Sequence, residues 1–367
     1  MTAIPSPPDN EAPISFVDSR QQLGAARSWQ VSLGDLDGDS DLDAFVVNDS
    51  HDIAGNAVWL NDGHGIFSLV EQDLGYGRGG SLGDLDQDGD LDAFITDWEN
   101  PSNVWLNDGS GYFTDSGQSI GQGNCWGVAL GDLDGDGDLD AMTAQDQANL
   151  VWLNDGDGIF TDSGQRLGVK ITAELALGDL DGDGDLDALA GGWGEPAKVW
   201  FNDGISSGIF VDSGQSLTSK YLHIHGLALG DLDNDGDLDG FLAIAGEPNQ
   251  VWTNDGSGTF VDSGQQLGAY ADNGVALGDL DGDGDLDAFI TSAFPKDQIW
   301  LNEGGIQDGT TGVFIDSGLV LGDLYSLKVA LGDLDGDGDL DAFVTHGNMM
   351  QSSGGGQPNQ VWFNQTP

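Results

Sequence analysis

Seven copies of one ten-residue segment, Gly-Asp-Leu-Asp-x-Asp-x-Asp-Leu-Asp, punctuate the chain, with first aspartates at Asp35, Asp84, Asp132, Asp179, Asp231, Asp279 and Asp333. Successive copies lie 49, 48, 47, 52, 48 and 54 residues apart. A repeat of this length is one small supersecondary unit that cannot bury its own faces, so the fold must stack such units against one another. Around each copy the same four strand-like pieces recur. In the third they are Val128 to Gly131, Leu139 to Met142, Val151 to Asn154 and Phe160 to Gly164. Asn-Asp-Gly-x-Gly joins the third piece to the fourth, as at Asn107 to Gly111 and Asn254 to Gly258, where Asp-Gly supplies the positive φ of a tight hairpin. Four short antiparallel strands per unit and a period near 50 predict an all-β, seven-bladed β-propeller.

The phase of the repeat at the two ends predicts how the ring closes. Val361-Trp362-Phe363-Asn364 is a third strand with no fourth, and Phe16-Val17-Asp18-Ser19 is a fourth strand with no predecessor. An N-terminal strand within Ile14 to Leu23 should therefore complete the C-terminal blade beside Gln360 to Asn364. Residues 1–13, with four prolines and no apolar run, read as a disordered leader, and residues 14–367 as the propeller.

The chain carries 64 acidic and 9 basic residues, a net charge of −55. This excludes nucleic acid as a natural partner and disfavours an anionic membrane surface, and no apolar run is long enough for membrane insertion. The single cysteine, Cys125, excludes an internal disulfide. At 38% hydrophobic residues there is material for a core, so the acidity is not a mark of disorder.

The repeated segments hold 35 of the 64 acidic residues: Asp35, Asp37, Asp39, Asp41 and Asp43; Asp84, Asp86, Asp88, Asp90 and Asp92; Asp132, Asp134, Asp136, Asp138 and Asp140; Asp179, Asp181, Asp183, Asp185 and Asp187; Asp231, Asp233, Asp235, Asp237 and Asp239; Asp279, Asp281, Asp283, Asp285 and Asp287; Asp333, Asp335, Asp337, Asp339 and Asp341. The spacing offers carboxylates at loop positions 1, 3, 5 and 9 and a backbone carbonyl at position 7. An all-oxygen set without His or Cys selects a hard cation, and the ligand number favours Ca²⁺ over Mg²⁺. One ion per blade would bring the charge to −55 plus 14, or −41. Glycine at position 6 lets the loop turn sharply, whereas the first copy has Ser40 there, which predicts a weaker or strained site.

Gly278 to Phe289, Gly-Asp-Leu-Asp-Gly-Asp-Gly-Asp-Leu-Asp-Ala-Phe, resembles the calcium-binding FG-GAP or VCBS repeat and is similar to the loops of the integrin α-subunit propeller. The resemblance covers residues from about 14 to the end. It implies that the same aspartates ligate calcium, that the loops join the first and second strands on one face, and that the opposite face is left for recognition. Relatives of this kind include adhesins, lectins and non-catalytic parts of secreted enzymes. Dependence on calcium implies an extracellular location, secreted or at the cell surface.

Residues that break the repeat are the candidates for recognition. Trp59, Trp105, Trp152, Trp200, Trp252, Trp300 and Trp362 share one place in the third strand and read as core between blades. Trp29 and Trp126 lie six residues before a first loop aspartate; Trp98 and Trp193 lie six after a last one. Both positions should open on the face opposite the loops, as ligand-binding residues or as a plug of the central channel. Variable segments join them there, including Tyr221 to His225, Tyr270 to Asn273 and His346 to Gln357. Aromatic rings beside carboxylates and amides suit a sugar, which makes carbohydrate the leading partner and an extracellular protein, as in adhesion, the alternative. His223, His225 and His346 could serve proton transfer, but no nucleophile motif accompanies them, so the expectation is a non-enzymatic protein. Asn48-Asp49-Ser50 and Asn364-Gln365-Thr366 match the glycosylation pattern.

Overall fold

Apolar residues at the second strand of every repeat leave no polar face, which demands burial on both sides. The computed structural model describes residues 14–49, 55–168, 170–202, 208–218, 222–268, 271–293, 296–304, 310–347 and 356–366. The proposed leader, residues 1–13, lies outside them, as do Tyr221, Tyr270 and residues 348–355 of the variable segments. Seven four-stranded antiparallel sheets are present, and we number the blades 1 to 7 from the strand Ser28–Gly34. In blade 3 the strands run Cys125–Gly131, Asp140–Gln145, Leu150–Asn154 and Phe160–Asp162 from the inside outward.

Blade 7 closes as the repeat phase requires. Phe16–Asp18 pairs with Gln360–Asn364, with Phe16 opposite Asn364 and Asp18 opposite Trp362. Ser19 N donates to Val361 O at 2.9 Å, Gln365 N to Ser15 O at 2.7 Å, and Leu23 bridges Asn359. The edge strand of the last blade is thereby paired with a distant part of the chain.

The core consists of apolar clusters between successive blades. Leu85, Phe94 and Val104 of blade 2, for example, pack on Ala141, Trp152 and Phe160 of blade 3. Second-strand and fourth-strand phenylalanines meet edge to face, as Phe94 and Phe160 do with centroids 5.1 Å apart. The third-strand tryptophans are core: Trp59, Trp105, Trp152 and Trp300 are buried, and Trp200, Trp252 and Trp362 pack on the clusters. No helix among the described residues is long and apolar enough to cross a membrane.

Two rings of side-chain hydrogen bonds also join neighbours. The asparagine ending each third strand donates to the carbonyl of the leucine at loop position 2 in the preceding blade. These bonds run Asn61 to Leu334, Asn107 to Leu36, Asn154 to Leu85, Asn202 to Leu133, Asn254 to Leu180, Asn302 to Leu232 and Asn364 to Leu280, all within 2.8 to 3.0 Å. Nearer the rim, Gln118 donates to Gly158 O at 2.6 Å and accepts from Phe160 N at 2.9 Å, tying blade 2 to blade 3. Gln21, Gln72, Gln165, Gln215 and Gln265 repeat this clamp, while Leu319 takes the place at the seam of blades 6 and 7 and packs on an apolar cluster that includes Phe16. Gln118→Ala should cost about 1–3 kcal/mol, because it leaves a buried N–H and C=O without partners. The exposed Gln266→Ala should stay within about 0.5 kcal/mol. Equal urea midpoints for the two variants would remove the clamp's role.

Both glycosylation matches fail on burial. Asn48 and Asn364 are 4% and 1% exposed. Their amides donate to Gly55 O and Leu280 O.

Candidate functional site

Each aspartate loop is shaped by its own carboxylates. In blade 3, Asp132 accepts from Gly135 N and Gly137 N at 2.8 and 3.1 Å, and Asp136 accepts from Asp138 N at 3.0 Å. Asp140 is fully buried and accepts from Leu133 N at 3.0 Å and Asn154 N at 2.8 Å, binding the loop to the end of the third strand. The position-6 glycines sit at φ of 97 to 99°, and Ser40 takes φ 76° in the first copy. A Cβ at the matching glycines meets nothing within 4 Å, so the Ser40 penalty lies in the backbone alone. The hairpin between third and fourth strands is a five-residue turn whose positive φ falls on both glycines, Gly109 and Gly111, and not on Asp108. Gly109 sits at φ 74°, where a side chain is strained, and a Cβ there would also have to displace the Asp90 carboxylate of the same blade.

The donor set fits a hard cation. Asp132, Asp134 and Asp136 offer oxygens within 4.8 Å of one another, as do Asp84, Asp86 and Asp92, and Asp231, Asp233 and Asp239. One oxygen of the third-position aspartate is buried without a hydrogen-bond partner at Asp86, Asp134, Asp181, Asp233 and Asp335. Burial and the adjacent carboxylate raise these groups above the usual range. Burial pushes Asp43, Asp92, Asp140, Asp187 and Asp239 up to about 6, Asp341 to about 7 and Asp287 to about 8. Such loops hold negative charge that the chain does not neutralise.

At the opposite end of the inner strands the repeat dissolves. Six of the seven inner strands bulge at their start, between Ser28 and Gln30, Cys125 and Gly127, Thr172 and Glu174, Ile224 and Gly226, Asp272 and Gly274, and Ser326 and Val329. The residue six before the first loop aspartate falls in each bulge, and a bulge re-aims the side chain it carries. Around the ring this position reads Trp29, Arg78, Trp126, Ala173, His225, Asn273 and Leu327. All seven line one cavity of about 260 Å³ at the channel mouth.

The four tryptophans singled out by their spacing gather here. Trp98 and Trp126 meet edge to face with centroids 4.5 Å apart, and Trp126 and Trp193 at the same separation. Trp193 continues to His223 at 6.0 Å and His225 at 5.5 Å. Trp29 joins through Arg78, whose guanidinium carbon lies 3.3 Å from the Trp29 ring centroid and 4.5 Å from that of Trp126. The indole nitrogens of Trp29 and Trp126 each donate to a carboxylate at 2.9 Å, Asp49 and Asp146. Trp98 is 37% exposed, whereas the other three are partly buried in the cavity wall. Trp29, Trp126 and Trp193 line the cavity, and Trp98 packs on Trp126 at its edge.

His346 does not join the other histidines. It is fully buried at the end of its strand opposite Ser326, and burial pulls it down to about 4. Cys125 is buried and its thiol is pushed up to about 12, which leaves it unreactive at neutral pH.

Charged residues that spacing alone did not single out complete the mouth. Lys328 of blade 7 reaches across the channel to Glu174 of blade 4 at 2.5 Å and donates to His225 O at 2.6 Å. Their signal was rarity, since two of only nine cations, Arg78 and Lys328, stand at inner-strand starts. Below His225 runs a buried relay. Asn273 Oδ1 lies 3.4 Å from His225 Nδ1, Asn273 Nδ2 donates to Ser326 O at 2.7 Å, and Ser326 Oγ donates to Asp297 at 2.8 Å. Burial pushes the Asp297 carboxyl up to about 7. A carboxyl raised on folding holds its proton more tightly in the folded state, so its contribution is full below about pH 4 and lost as pH rises through about 7. In saturating calcium, the melting temperature of the native protein should therefore fall more between pH 5 and 8 than that of Asp297→Asn. Parallel profiles would show that Asp297 does not titrate there.

A family model described as an FG-GAP-like repeat matches residues 84–143, 132–190, 179–242, 240–290 and 279–344. No curated protein matches the chain. Among solved structures, BBS1N in complex with ARL6DN is similar at TM-score 0.61 and 8% identity, covering 96% of this chain and 98% of that one. The WD40 β-propeller domain of Doa1 is similar at TM-score 0.60 and 12% identity, covering 95% and 97%. The extracellular domain of the putative one-component system BT4673 from B. thetaiotaomicron is similar at TM-score 0.56 and 11% identity, covering 96% of this chain and 40% of that one. At these identities the likeness is one of fold.

Proposed function

Because the chain belongs to the FG-GAP-like repeat family, we propose that it is a calcium-stabilised, non-catalytic recognition module that binds carbohydrate at the channel mouth. The observation that carries this reading is the run of Trp98, Trp126 and Trp193, the last two on the wall of a cavity that also holds Arg78, Asn273 and His225. Indole faces stack on the apolar side of a sugar ring, and the polar groups between them take its hydroxyls. Calcium, about one ion per blade, would be held by the aspartates at positions 1, 3, 5 and 9 and would stiffen the first hairpin of each blade. It supplies charge neutralisation, and the bound rim is then fixed before the ligand arrives. A need for millimolar calcium would suit a protein outside the cell, secreted or surface-exposed.

A glycan array probed with the calcium-loaded protein should return a related set of sugars, and Trp126→Ala should weaken those hits at least tenfold. A blank array would overturn the carbohydrate reading. The second reading, a protein-docking scaffold, is favoured by the exposure of Trp98, and one similar propeller, BBS1N, was crystallised with a protein. It predicts a partner whose binding simple sugars do not displace.

A further inference from the structure

The guanidinium of Arg78 is held in the mouth by two indole rings and one long ion pair. Its side chain is only 18% exposed, and burial pulls it down to about 10, so it is charged at neutral pH. Its closest carboxylate oxygen, on Asp49, is 4.0 Å away, and the guanidinium makes no hydrogen bond to the described residues. Stacking on Trp29 and Trp126 fixes its plane without using its five N–H donors. A guanidinium largely withdrawn from water normally takes a bidentate carboxylate, and this chain has 64 acidic side chains from which to supply one. Two further atoms of the same wall, Trp193 Nε1 and His225 Nε2, are buried without a hydrogen-bond partner. Asn273 donates its amide to Ser326 O, which turns its oxygen toward His225 Nδ1. His225 therefore carries its proton on Nδ1, and burial pulls its pKa down to about 4, leaving Nε2 as an acceptor.

The wall thus combines a forked cation, one indole donor and one imidazole acceptor beside flat aromatic faces. We infer that the mouth takes an acidic sugar, its carboxylate on the Arg78 fork and a hydroxyl between Trp193 and His225. This rests on the carbohydrate reading above and narrows it. A neutral sugar offers Arg78 no charge, and an aliphatic carboxylate leaves the indole and imidazole atoms unpaired. The net charge of −55 repels the ligand at long range, so association should quicken as salt screens that repulsion, while the partly buried Arg78 contact is screened less.

The test is a tryptophan-fluorescence titration of the calcium-loaded protein with methyl glucuronide, its methyl ester and methyl glucoside. The free acid should bind at least tenfold more tightly than either neutral compound. Arg78→Gln should abolish that preference and keep the neutral affinity, and Arg78→Lys, with charge but no fork, should recover only part of it. Equal affinity for acid and ester in the native protein would overturn the acidic-sugar assignment and leave the carbohydrate reading standing. No binding of any of the three, with a blank glycan array, would overturn both. The ester comparison uses the native protein, so a folding defect in an Arg78 variant does not blunt the test.

Discussion

Stripping divalent cations with EDTA should lower the melting temperature by on the order of 20 °C. At free calcium a hundredfold above Kd, each site adds about 2.7 kcal/mol, so seven equal sites add roughly 19 kcal/mol. Divided by an unfolding entropy of about 2.1 cal/mol/K per residue over 367 residues, this is a shift of roughly 25 °C, trimmed for the Ser40 loop. Each loop gathers five aspartates, in six of the seven around a buried oxygen without a hydrogen-bond partner, and their mutual repulsion is relieved only by protonation or a cation. Calorimetry with and without EDTA at pH 7.5 checks this, and superimposable curves would refute metal-linked folding. Asp136→Ala, which removes one proposed ligand, should cost one bound calcium of about seven by equilibrium dialysis.

Asp140→Ala should be the most damaging single substitution in a loop, at about 3–5 kcal/mol. Asp140 is fully buried, and its loss leaves Leu133 N and Asn154 N without acceptors, each worth about 1–3 kcal/mol. Asn154 in turn donates to Leu85 of the preceding blade, so the defect spreads across an interface. Asp138→Ala, two positions earlier, removes a half-buried carboxylate that packs beside the Gly156 turn and accepts from Gln87 of blade 2, and should cost less, about 1 kcal/mol. Chemical denaturation in EDTA isolates the structural part. Equal midpoints for the two variants in EDTA would show that Asp140 acts only through the metal.

Blade number, strand order and ring closure were legible because each is written seven times or in the phase of the ends. Every repeat must obey the same packing, and the half blades at Phe16 and Trp362 complete each other. The mouth was legible only in part. Trp29 and Trp126 stood out as aromatics at a shared offset, but Arg78 occupies that same offset in blade 2 and passes unnoticed unless all seven blades are compared by position. The bulges that aim these residues inward leave no residue-type signature, since they arise from strand register and not from a glycine. The Lys328–Glu174 contact joins residues 154 apart, and no spacing rule links blades 4 and 7. The glutamine clamps were visible as repeated letters, but their partners lie in the next repeat, where local pattern does not reach.

That contact between blades 4 and 7 changes the mechanics of the ring. A closed ring bonded only between neighbours is softest when it ovalises, one diameter lengthening as the perpendicular one shortens. A strut from Glu174 to Lys328, anchored also on the backbone of blade 5, stiffens one diameter and leaves the perpendicular one compliant. The arc carrying Arg78 and Trp126 lies to one side of this brace, so flexing of the mouth is channelled into the arc that carries the aromatic rings.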